Sequence, residues 1–210
     1  MVERMRAVFI FLVLLVLLAL AVPATFAVQY WLDGRAVIAR AEQRGALRTP
    51  LAGRLSTAEY TIAMSEFGET WRTQAQPCRT FANLWADLTS ESAPGGVPVS
   101  QKASTSLLGE QRGTSVRWQV RRLIVACQLE RRFDDRQLLR LWLEGAYFGQ
   151  DATGVETAAR RYFDKSSSEL NSEEAARLAV LLRAPGLRNQ PERWTERARV
   201  IQERVAAVAR

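Results

Sequence analysis

From Ala7 to Val22 the chain carries no polar side chain (AVFIFLVLLVLLALAV), and PATFAV after Pro23 extends the apolar stretch to Val28. A run of this length matches the hydrocarbon core of a bilayer and predicts one N-terminal transmembrane helix. Arg4 and Arg6 precede it with only Glu3 opposing them, which keeps that end in the cytoplasm and puts everything after residue 30 outside. A secretory signal shares the basic start, the apolar stretch and small residues such as Ala24 and Ala27. The length of the stretch, and Tyr30 with Trp31 as an interfacial aromatic belt, favour an uncleaved anchor. Either way the rest of the chain is exported.

Residues 1–31 are therefore expected to be a cytoplasmic tip and anchor, 32–54 a connecting stalk, and 55–210 a folded domain. Leu55 to Leu88 is weakly patterned, with helix expected near Arg79 to Leu88, and Thr89 to Thr105 (TSESAPGGVPVSQKAST) reads as a loop. Beyond Thr114 the helical signal is strong. Val116, Val120, Leu123, Ile124 and Cys127 recur at spacings of three and four, one apolar stripe. Asp134 or Asp135 caps a second helix carrying Leu138 to Leu143, and GAYFGQDATG interrupts it. A third helix covers Val155 to Phe163. Asn171 with Glu174 makes a capping box opening a fourth through Leu182, stopped by Pro185 and Gly186, and a last helix runs from about Pro191 to Ala207. No β alternation or repeat appears, so the fold class is all-α with one transmembrane helix.

Composition changes this picture in three ways. With 29 Lys+Arg against 22 Asp+Glu the net charge is +7, and Lys102 and Lys165 are the only lysines. Arginine forks suit phosphate, pyrophosphate and anionic lipid headgroups, although a soluble basic surface explains net charge as well. Nucleic acid would account for the charge equally well, but no nucleic-acid partner is expected. Histidine is absent, which excludes Ser-His and Cys-His nucleophiles and the common zinc sites. No metal and no cofactor is expected, and acid–base chemistry falls to carboxylates. Cys78 and Cys127 could pair in an oxidising compartment; Cys127, on the apolar stripe, also suits burial as a small hydrophobe.

From Gln128 to Val205 the chain presents ordered blocks: a leucine-rich helix ending WLE, YFG at Tyr147 to Gly149, GVETAARRYFDKS, LNSEEAARLAVLLRAP, and Arg197 ahead of Ile201. Together these resemble the C-terminal half of the family 51 glycosyltransferase domain, found in monofunctional peptidoglycan transglycosylases and class A penicillin-binding proteins. The resemblance implies a membrane-embedded, lysozyme-like helical fold that joins lipid-linked disaccharide units. A sugar hydroxyl attacks an anomeric carbon while a lipid pyrophosphate leaves. That step needs a carboxylate to take the proton and cations to hold the departing charge.

The same resemblance assigns candidate site residues. Gly95, Gly96, Ser100 and Gln101 match the family's glycine-serine-threonine-glutamine loop, with Lys102 in place of its second glutamine and Thr105 in place of its lysine. Lys102 could replace that cation from a neighbouring position. Arg122 stands where the family supplies a glutamate, next to Arg121. Glu66, in AMSEFGETW, is the candidate catalytic carboxylate, with Glu69 as an alternative. With Arg112, Arg121 and Arg122 expected around the pyrophosphate, the substrate-binding set is Ser100, Gln101, Lys102, Arg112, Arg121 and Arg122.

Two functions fit. One is a divergent peptidoglycan glycosyltransferase at the bacterial cytoplasmic membrane, its domain outside the cytoplasm and its catalysis open to impairment by the altered residues. The other is a non-catalytic scaffold that binds lipid-linked precursor, glycan strand or other cell-wall synthesis proteins. A third is a basic membrane protein without a cell-wall role.

Overall fold

In the computed structural model of the chain, residues 2–45, 47, 53–72, 78, 98–109 and 115–208 are described. Among them the regular structure is helical: α1 (Val2–Gln43), α2 (Thr57–Phe67), α3 (Val99–Leu108), α4 (Val116–Glu130), α5 (Asp135–Glu144), α6 (Val155–Phe163), α7 (Ser172–Arg183) and α8 (Pro191–Val208). Short 3-10 turns cover Glu69–Arg72 and Pro185–Asn189. The β features are reduced to a single antiparallel bridge, Tyr147 to Thr153, so the all-α expectation holds for the described residues.

Local chemistry sets the ends. Ser56 with Glu59, Asp134 with Gln137, and Asn171 with Glu174 form reciprocal capping boxes opening α2, α5 and α7. α3 was not expected. Its residues fall in the stretch read as loop, but VSQKASTSLL contains neither Gly nor Pro, Pro98 leads into it, and Ser104 and Thr105 hydroxyls donate back to the Gln101 carbonyl at 2.9 and 2.8 Å. The helix expected near Arg79 to Leu88, and the loop up to Val97, lie outside the described residues.

α1 is continuous through Trp31 and Leu32, where anchor and stalk were expected to meet. Among the described residues no helix is long and apolar enough to cross a membrane. The C-terminal part of α1 packs on α4. Val37, Ile38 and Ala41 join the core there, so part of the expected stalk helps build the domain. Gly34 permits the close crossing: a Cβ at that position would lie 3.0 Å from Gln128 Oε1 and 3.2 Å from the Ile124 side chain.

α2 is wrapped by α7, α8 and α5, and Ala58, Ile62 and Ala63 are fully buried in the core. That core continues through Val125 and Leu129 of α4, Leu138, Leu139 and Leu143 of α5, Phe148, and Leu178 and Leu181 of α7. The YFG segment is held by Tyr162, whose hydroxyl donates to the Phe148 and Gly149 carbonyls at 3.0 and 2.9 Å. Gly149 has φ +91°, and a Cβ there would meet Pro185 at 2.6 Å, so no other residue fits. Cys127, on the buried stripe of α4, forms a disulfide with Cys78, resolving the two sequence alternatives into a cysteine that is both buried and paired.

Candidate functional site

The C-terminal end of α2, the outer face of α3, and the ends of α5 and α7 surround a cleft of about 790 Å³. Glu66 lies in the last turn of α2, which ends where Gly68 takes φ 72°. Helix carbonyls concentrate negative potential at that end, an unfavourable setting for a carboxylate. Two cations offset it. Lys102 Nζ of α3 stands 3.2 Å from Glu66 Oε2, and Arg183, at the end of α7, pairs with Oε1 while donating to the Ser65 carbonyl at 3.1 Å. The Glu66 side chain is only 6% exposed, so solvent screens these pairs less than it would on an open surface.

Arg122 of α4 closes another wall. It donates to Gln101 Oε1 at 2.6 Å and to Gln119 Oε1 at 3.1 and 3.3 Å, and stacks over the Trp118 ring at 5.7 Å. Burial draws its guanidinium below the ordinary arginine value. Lys102 also stands 5.2 Å over the Trp142 ring, whose edge meets Phe67 at 5.4 Å. The cleft thus holds one carboxylate and three cations around an aromatic wall. It can accept a proton and hold phosphate oxygens at once.

Of the residues singled out from sequence, the structure brings Glu66, Gln101, Lys102 and Arg122 to this cleft. It does not bring Ser100 there. Successive helix residues are turned about 100° apart, so Ser100 points with Val99 and Ala103 into the interior while Gln101 and Lys102 face outward. Ser100 instead donates to buried Glu130 of α4. Arg121 is also directed elsewhere: its Nε stands 2.7 Å from Asp33 of α1. Glu69 is exposed on the 3-10 turn beyond Gly68, and Arg112 lies outside the described residues. Among the described residues no group of three or more His, Cys, Asp or Glu could hold a metal ion.

Sequence reasoning passed over Arg183. It stands inside the LNSEEAARLAVLLRAP block, which carried the family resemblance, and the available signal was a lone cation ending the apolar run LAVLL. Trp142, on the Leu138 to Leu143 helix, is core and cleft wall together.

Comparison with known proteins finds a family described as Transglycosylase over residues 74–206. Penicillin-binding protein 1C of Escherichia coli (strain K12) is 30% identical over 177 residues, 82% of this chain and 23% of that protein. Penicillin-binding protein 1A of Aquifex aeolicus (strain VF5) is 35% identical over 114 residues, covering 53% of this chain and 16% of that protein. A biosynthetic peptidoglycan transglycosylase of Shewanella frigidimarina (strain NCIMB 400) is 36% identical over 99 residues, 47% of this chain and 43% of that protein. The chain therefore spans less than half the length of each of these relatives. Glu66 lies ahead of the family match, so its place in the site rests on the cleft geometry. With α3 through nearly all of α8 inside the matched stretch, the chain belongs to the transglycosylase family, the family 51 glycosyltransferases.

Proposed function

We propose that this chain is a membrane-anchored peptidoglycan glycosyltransferase domain that uses Glu66 as general base on a lipid-linked disaccharide. The observation that carries this reading is the buried Glu66 carboxylate paired with Lys102 and Arg183 at the floor of a cleft that Arg122 also lines. An acceptor sugar hydroxyl gives its proton to Glu66 as its oxygen bonds to the donor's anomeric carbon. The bond from that carbon to pyrophosphate breaks, and the electron pair leaves with the pyrophosphate.

Both Glu66 oxygens are engaged in the structure, and drawing a cation away from either leaves that oxygen freer to take a proton. An entering pyrophosphate competes for Lys102 and Arg183 and offers them two charged groups instead of one. Substrate binding and release of the base are thereby coupled, and Arg122 supplies a third cation for the departing charge.

The names of the relatives support peptidoglycan assembly as the process. The apolar stretch 7–28, inside α1, supports a single membrane anchor, and the Cys78–Cys127 disulfide supports a domain outside the cytoplasm. The non-catalytic reading is favoured by one feature: Arg122 occupies the position of a family glutamate and is committed to Gln101 and Gln119. Incubation of the full chain with purified lipid-linked disaccharide separates the two. Glycan polymer that falls at least about a hundredfold in Glu66→Gln is expected, the usual worth of a positioned base. Precursor binding without any polymer would establish the scaffold reading instead.

A further inference from the structure

Away from the cleft, the face of α1 just beyond the apolar stretch and the end of α4 enclose a second hollow, of about 470 Å³. We propose that it binds the phosphate headgroup of an anionic phospholipid. Trp31 follows the end of the apolar stretch at Val28 by three residues, a rise of about 4.5 Å along a helix. Arg35 lies one turn further on the same face. From α4, Gln128 Nε2 donates to the Trp31 carbonyl at 2.8 Å, and the Arg131 guanidinium stands 5.8 Å over the Trp31 ring. Arg132 completes the lining, paired with Glu42.

The hollow therefore sets three guanidiniums against one carboxylate beside an indole face. The Arg35 and Arg131 guanidiniums make no hydrogen bond or ion pair among the described residues, Arg131 bonding only through its backbone N–H to the end of α4, so their forked donors are available to the two unesterified oxygens of a phosphodiester. The indole face suits the glycerol backbone, which is part apolar and part polar. Position selects a lipid over a soluble anion. If residues 7–28 lie in the bilayer, Trp31, Arg35 and the end of α4 stand in the headgroup layer just outside its core. The inference rests on that anchor reading but not on the chemistry of the cleft.

The test uses the full chain in mild detergent, with bound lipid counted by native mass spectrometry in equal mixtures of dioleoylphosphatidylglycerol and dioleoylphosphatidylcholine. The wild type should retain the anionic lipid selectively, and Arg35→Ala with Arg131→Ala should weaken that retention about thirtyfold, as loss of two surface cations implies. Glu42→Gln, which frees Arg132, should strengthen it. That variant carries the test should the double variant fail to fold, and no gain from it would overturn the proposal. Equal retention of the two lipids, an unchanged double variant, or complete displacement by millimolar inorganic phosphate would each overturn it as well. Alkaline extraction of membranes containing the wild type isolates the anchor reading. Release of the chain with lipid selectivity intact rejects the anchor alone, whereas retention without selectivity rejects the headgroup site alone.

Discussion

Arg121 and Arg122 are neighbours in sequence with different partners, and this makes them a sharp test of the cleft. Arg122→Ala removes a half-buried cation bonded to Gln101 and should weaken binding of lipid-linked precursor, with a loss that shrinks at high salt. Arg121→Ala breaks a partly exposed pair with Asp33 and should cost only about 0.5–1 kcal/mol of stability while leaving precursor binding intact. Isothermal titration for one quantity and thermal unfolding for the other check both statements; equal binding losses would mean that both side chains reach the substrate. Trp142→Ala should cost about 3–5 kcal/mol, as for other buried large side chains, and an unchanged melting temperature would show that the ring is not part of the core. Glu66 and Lys102 were legible as residues because family motifs pointed to them. Their pairing was not, because 36 positions separate them and only the packing of α3 near the end of α2 brings them together. Ser100 shows the converse: its motif position was recognisable, but helical rotation by one residue sends it inward to Glu130.

At the scale of elements, the helices that sequence found carry a period, an apolar run or a cap. Apolar residues recur by period along α4, although its first one, Val116, is exposed; Leu138 to Leu143 mark α5; and the Asn171–Glu174 capping box opens α7. α2 shows no such period, because three helices surround it and bury Ala58, Thr61, Ile62, Ala63, Met64 and Ser65 on several sides, leaving no clean stripe. Its visible signal was the Ser56–Glu59 capping box. Capping also gives α7 a pH dependence. The Lys165 ammonium, at 2.6 Å, and then the Asn171 backbone N–H hold the Glu174 carboxyl below the usual carboxylate range. A carboxyl lowered in the folded state stabilises above its unfolded pKa, and this contribution is lost as pH falls through the lowered folded value. Glu174→Gln should therefore cost about 0.5–1 kcal/mol at pH 7, and its difference from the parent should narrow below about pH 4. Chemical denaturation across that range checks it; a difference independent of pH would show that the carboxylate charge contributes nothing to the cap.

The molecule as a whole joins an apolar N-terminal helix to a basic helical domain, and the disulfide relates that arrangement to its surroundings. Cys78 and Cys127 are 49 positions apart, with Cα atoms 4.2 Å from each other, and the bridge reaches the middle of the domain because Cys127 is buried on α4. Sequence could not choose between pairing and simple burial, since the choice depends on where Cys78 stands in space. Closing a loop of that length removes much of the unfolded chain's freedom and is worth about 2–4 kcal/mol. The same bond would not persist in a reducing cytoplasm. Two results are therefore expected together. Natively purified protein alkylated without reductant should carry no thiol adduct, and should gain two after reduction. Cys127→Ala should lower stability by more than a matched core variant such as Val125→Ala, because it loses the loop constraint in addition to packing. Two adducts before reduction, with Cys127→Ala no more harmful than Val125→Ala, would show that the thiols are free in the native protein and would remove the disulfide as support for an exported domain. The cleft around Glu66 would be untouched by that result, since neither cysteine lines it.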